Sequence, residues 1–170
     1  ITDNLPKCML KIKGKSLLQR AIDIFKANGI SDISVIRGYK KEKIDFPNLS
    51  YFENPDFENN NILHSLMYAK QKIKEAIAAG EDIVVTYSDI LFKDDIVKKL
   101  ITARHPISIV VDTDWHEYYE GRDGHPISEA ENVVFNDNLH VSKIGKDVIT
   151  DGTPHHQQGE FIGMWKFTPQ

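Results

Sequence analysis

The stretch Ile83-Val84-Val85-Thr86-Tyr87-Ser88-Asp89 decides the fold. Residues 82–87 have a continuous apolar centre with no alternation, which predicts a strand covered on both faces, as in a parallel sheet. On its N-terminal side, residues 61–79 carry Ile62, Leu66, Ala69, Ile73 and Ile77 at helical spacing, with Gly80 as terminator. On its C-terminal side, residues 94–103 place Ile96, Val97, Leu100 and Ile101 on one stripe. A second continuous strand, 107–111, follows and ends at Asp112.

Nearer the start, Ser16 reads as the N-cap of a helix with Leu17, Leu18, Ala21, Ile24 and Phe25 on one face, stopped at Asn28-Gly29. Residues 33–36 and 49–52 are strand-sized; Arg37-Gly38-Tyr39 closes the first and Asn54-Pro55 the second. After Trp115 the pattern changes. Residues 131–135 and 140–144 flank Asn136-Asp137-Asn138, a hairpin signal, and residues 159–167 supply a last strand. The sum is an α/β fold: a Rossmann-like mixed, mostly parallel sheet flanked by helices, with an antiparallel hairpin excursion.

Composition narrows the function. The chain has 170 residues, enough for one well-buried domain spanning 1–170, and its 41% apolar and 27% charged residues fit a globular protein. A net charge of −4, with no basic run interleaved with aromatics, argues against nucleic acid as the main substrate. The apolar runs are strand-sized, so no membrane insertion is expected. The single cysteine, Cys8, excludes an internal disulfide; with no leader pattern visible, the expected location is cytoplasmic. The sequence starts at Ile1 without a methionine and ends just after a strand, as expected for part of a longer protein.

Ligands of open α/β sheets bind beyond the carboxyl ends of the strands. Two predicted strands end there in carboxylates, Asp89 and the pair Asp112 and Asp114. Such a carboxylate can hold Mg²⁺ together with substrate phosphates, or simply shape a turn. Lys7 follows Pro6, which stiffens the loop; it is either a phosphate grip or a solvated lysine. In Asn59-Asn60-Asn61 one asparagine is expected to cap the helix, and the others can bind a phosphate, a base or a headgroup, or lie in a solvated loop. Trp115, Tyr118 and Tyr119 can form an aromatic box for a cationic headgroup or pack under a lid. The pair His155-His156 has no partner at metal-ligand spacing and reads as loop, and Cys8 reads as core.

The order of these segments carries a resemblance. Thr2 and Pro6-Lys7-Cys8-Met9-Leu10 resemble the T-x-x-x-P-K-x-L segment of the nucleotidyltransferases that activate sugar phosphates and phosphocholine. Gly14-Lys15-Ser16-Leu17-Leu18 is similar to their G-K-P-L-L, with serine for proline. Gly29-Ile30-Ser31-Asp32-Ile33 is similar to G-I-x-D-I, and Arg37-Gly38-Tyr39 to x-G-Y. Asn54-Pro55, Asn60-Asn61 and Ser65-Leu66 resemble N-P…N-N…S-L, and Tyr87-Ser88-Asp89 stands where the metal-binding G-D or A-D does. The Asn-Asn helix start, the aromatic stretch after Asp112 and Gly159-Glu160-Phe161-Ile162-Gly163 are closest to phosphocholine and phosphonate cytidylyltransferases.

The resemblance implies a nucleotide-diphospho-sugar transferase-like fold and a set of roles. Lys7 would be catalytic, on the phosphates; Asp89 and Glu160 would hold Mg²⁺; Asn60, Asn61, Ser65, Asp112 and Trp115 would bind nucleotide or acceptor. Glu160 stands where an aspartate is more usual. The partners implied are CTP, in preference to UTP, and a small phosphorylated or phosphonate acceptor; a homodimer is compatible with it. The family's first strand and glycine-rich loop would precede Ile1, so the single domain is expected to lack them and its C-terminal end. The expected reaction is transfer of CMP with release of pyrophosphate. The alternatives are the same chemistry on a sugar 1-phosphate, and a non-catalytic nucleotide-sensing domain.

Overall fold

The computed structural model describes residues 3–121, 126–146, 148–149, 152 and 156–169, apart from the side chain of His156. The chain divides into two compact units, one of Ile1–Ser108 with Lys166–Gln170 and one of Ile109–Trp165. The expected α/β class holds, with parallel and antiparallel pairing both present.

The first unit opens with a 3-10 turn, Lys7–Met9, and a tight hairpin of β1 (Lys11–Ile12) and β2 (Lys15–Ser16). The hairpin reverses at Lys13 and Gly14, whose φ values of 50° and 79° suit a two-residue turn with both central residues left-handed. α1 (Leu17–Ala27) starts where the Ser16 side chain accepts the Gln19 amide. Its buried face is Leu17, Leu18, Ala21, Ile22 and Phe25; Ile22 rather than Ile24 completes the stripe. β3 (Ser34–Arg37) lies parallel to β4 (Ser50–Glu53), with Ile36 opposite Phe52. A core of Cys8, Leu18, Ile22, Val35 and Ile44 closes between them, flanked by Met9, Phe46 and Tyr51.

The single helix expected over 61–79 is two helices, α2 (Ile62–Met67) and α3 (Lys70–Ala78). At the junction the Tyr68 amide donates to Ser65 O and the Ala69 amide to Leu66 O. These are three-residue, 3-10-type closures, which advance the chain by more rotation per residue than an α-turn. The apolar stripe therefore falls out of register across the break. Ala69 is buried, whereas Ile62 and Ile77, expected to point inward, are about half exposed.

β5 (Ile83–Thr86) precedes α4 (Asp94–Thr102), which buries Val97 and Leu100 and carries Asp94 and Asp95 in its first turn, where they complement the helix dipole. Lys166, only 2% exposed, donates to Asp82 at 3.0 Å and to the carbonyls of Ala103 (2.5 Å) and Ile101 (3.4 Å). It thus fastens the end of α4 to the start of β5.

In the second unit, β6 (Ile107–Asp112) contributes residues 109–112 and leads into a 3-10 turn, Trp115–Tyr119. β7 (Asn132–Asn136) pairs antiparallel with β8 (Val141–Gly145) and with β9 (His156–Phe167). The hairpin anticipated at Asn136-Asp137-Asn138 is present, and β7 is buried through Phe135 while β8 is exposed over Val141–Ile144.

Candidate active site

Pro6 is buried, and the turn after it closes through Met9 N to Pro6 O (2.9 Å) and Leu10 N to Lys7 O (3.0 Å). This turn leaves Lys7 exposed and sends the next side chain, Cys8, into the core. There the thiol meets the Ser88 side chain and senses the charge of Asp89. Burial raises the thiol pKa above the ordinary cysteine value; the Ser88 hydrogen bond opposes the rise and the negative charge of Asp89 adds to it. The lysine-bearing turn and the carboxylate-bearing turn after β5 are therefore neighbours, joined through Cys8. Asp89 is itself exposed. Neither Lys7 nor Asp89 makes a side-chain hydrogen bond or ion pair among the described residues.

A second cluster in the same unit is organised by Asn54, a buried residue just after β4. Its amide exchanges hydrogen bonds with the amide of Asn60 in both directions, at 3.0 and 2.9 Å, and also donates to Ser65 Oγ at 3.2 Å. Asn61 is the cap anticipated from the sequence, accepting the His64 amide at 3.0 Å. Asn60 and Ser65 thus shape the loop from within. Beside it, Asp56, Asn59, Asn60, His64, Met67 and Tyr68 line an open groove of about 420 Å³. The role of Asn54 as the hub was not anticipated. Its one sequence signal was the Asn-Pro pair that ends β4, just ahead of the asparagine run.

In the second unit, Asp112 accepts the Asp114 amide at 2.9 Å, an Asx turn that fixes the exit from β6. Trp115 is buried, with its ring edge-on to Tyr119 at 5.7 Å between centroids. The Tyr119 hydroxyl donates to Glu160 on β9. Gly159, next to Glu160, is required by close approach: a Cβ there would stand 2.3 Å from Val111 Cγ1 and 2.6 Å from Asp112 O. Thr2 and His155 lie outside the described residues, as does the side chain of His156. Asp89 and Glu160 offer hard carboxylate oxygens of the kind Mg²⁺ takes. Among the described residues no three or more His, Cys, Asp or Glu side chains gather as a metal-holding group.

Residues 3–143 match the MobA-like NTP transferase domain. The chain belongs to this family. As a MobA-like NTP transferase domain it is 29% identical, along its whole length, to the CTP:phosphoglutamine cytidylyltransferase of Campylobacter jejuni, covering 68% of that protein. Over 55% of its length the chain is 30% identical to the choline-phosphate cytidylyltransferase of Streptococcus pneumoniae, covering 40% of that protein. Two solved structures share the fold: the inositol-1-phosphate CTP transferase of T. maritima, at TM-score 0.70 and 18% identity, and the CTP:phosphocholine cytidylyltransferase of S. pneumoniae, at 0.57 and 20%. The chain spans 64% of each of those structures.

Proposed function

We propose that this NTP transferase domain is the catalytic part of a magnesium-dependent cytidylyltransferase. It moves CMP from CTP to a small phosphate or phosphonate acceptor and releases pyrophosphate. The observation that carries this reading is the adjacency of the Lys7 turn and the Ser88-Asp89 turn through Cys8. It sets an exposed ammonium and an exposed carboxylate on neighbouring turns at the carboxyl end of β5, where α/β sheets bind their ligands. Relatives that act with CTP, on phosphoglutamine and on choline phosphate, support the choice of nucleotide and of acceptor class.

An ionised acceptor oxygen attacks the α-phosphorus of CTP, a new P–O bond forms, and the bond to the β-phosphate oxygen breaks, so that pyrophosphate leaves with the electron pair. The acceptor is already a nucleophile, so no general base is required. Lys7 neutralises charge on the phosphates as it shifts toward the leaving group. Asp89 and Glu160 are the residues that would hold Mg²⁺; once bound, the ion supplies charge neutralisation and alignment of the phosphates. Each carboxylate, taken in its own unit, fits an ion that draws its other ligands from substrate and water. The Asn59 to Tyr68 groove is the proposed seat of the nucleotide or acceptor, shaped by Asn60, Asn61 and Ser65. Asp112 and Trp115, in the second unit, are proposed as further nucleotide- or acceptor-binding residues.

The test is a pyrophosphate-release screen of the intact protein with CTP and UTP against phosphocholine, aminoethylphosphonate and sugar 1-phosphates. Release with CTP and a phosphate or phosphonate acceptor is the expected outcome. Turnover restricted to sugar 1-phosphates would transfer the proposal to that acceptor class. Binding of CTP without release on any acceptor would overturn the enzymatic reading in favour of a sensor.

A further inference from the structure

Within this reading of Glu160 as a metal-holding carboxylate, one contact reaches further. Tyr119 and Glu160 are 41 positions apart, yet the phenol hydroxyl donates to Glu160 Oε1. Three features hold the contact in place. Trp115, buried and edge-on to the Tyr119 ring, limits where that ring can turn. The 3-10 turn Trp115–Tyr119 sets both aromatics on one short, closed segment. On the other side, Gly159 lets β9 run against Val111 and Asp112 more closely than any side chain would allow, so the strand carrying Glu160 is pinned to the end of β6.

We infer that Tyr119 is a positioning residue: its hydroxyl occupies one oxygen of Glu160 and orients the other toward a divalent cation. A carboxylate with one oxygen so held presents a single ligand atom in a fixed direction, and hydrogen bonds of this kind to metal ligands typically govern affinity by ~10–100-fold. The buried Trp115 then acts behind Tyr119, as the packing support of its ring.

The test is Mn²⁺ binding to the intact protein, followed by the paramagnetic resonance signal of free Mn²⁺, with the metal alone as probe. Tyr119→Phe removes only the hydroxyl and keeps the ring against Trp115. The expected result is Mn²⁺ affinity about 10-fold weaker for Tyr119→Phe, at least as weak for Glu160→Gln, and no weaker for the double variant than for Glu160→Gln. Weak binding by Glu160→Gln beside unchanged binding by Tyr119→Phe would overturn the positioning role and leave Glu160 as a ligand. Unchanged binding by Glu160→Gln would overturn the metal role of Glu160, and the positioning role with it. A second measurement needs no variant of Tyr119. Mn²⁺ should perturb the near-ultraviolet tyrosine spectrum of the wild-type protein but not that of Glu160→Gln, and a silent wild-type spectrum would overturn the inference.

Discussion

Lys7 and Cys8 are consecutive, and the 3-10 turn sends one outward and the other into the core. Lys7→Ala should therefore lower turnover by roughly 10²–10³, the loss expected for one donor to transition-state charge, without a matching loss of stability. Steady-state kinetics beside a urea melt checks both halves. Asp89→Ala should abolish magnesium-dependent turnover and leave the fold intact, since Asp89 is exposed and its side chain makes no hydrogen bond among the described residues. Cys8 behaves differently. Its folded-state pKa lies above its unfolded one, so its contribution to stability is complete below the unfolded value and is lost as pH rises toward and through the raised one. The urea midpoint should hold steady up to about pH 8 and then decline, and Cys8→Ala should remove that part of the decline. Thiol reagents should label Cys8 slowly in the native protein and rapidly in urea.

At the scale of elements, what could be read from the sequence was whatever local chemistry decides. Ser16 and Asn28-Gly29 bound α1 because a cap and a left-handed exit are each one-residue events. Asn136-Asp137-Asn138 likewise announced the β7–β8 hairpin. The break between α2 and α3 was hidden, because Tyr68-Ala69 contains neither glycine nor proline and the apolar spacing runs straight through it. The candidate site divides in the same way. Lys7, Asp89 and the Asn61 cap were legible as local motifs, whereas the contacts Asn54–Asn60 and Tyr119–Glu160 depend on chain folding that no spacing encodes. Lys166 belongs with these hidden contacts. Late in β9 it looks like one more strand lysine, yet it is buried and fastens the end of α4 to Asp82. Lys166→Met keeps much of the aliphatic stem and leaves two carbonyls short of a donor, so it should cost about 1–3 kcal/mol in urea unfolding. A change within ±0.5 kcal/mol would show that water replaces the ammonium at no cost.

For the whole molecule, electrostatics sets the condition for activity. A chain of net charge −4 does not attract a nucleoside triphosphate by its overall field, so binding has to rest on local positive charge. Lys7 alone cannot balance a triphosphate, and the carboxylates proposed to assist it are negative until a cation joins them. Magnesium should therefore arrive with CTP and be held jointly by protein and phosphates, rather than act as a folding metal. Chelation with EDTA should then abolish pyrophosphate release and lower the thermal unfolding midpoint of the CTP-bound protein more than that of the nucleotide-free protein. Mg²⁺ should restore turnover in proportion to the CTP it complexes. An equal fall of the two midpoints on chelation would instead show that the metal is held without the phosphates, because a ligand bound only by the native state raises stability by mass action.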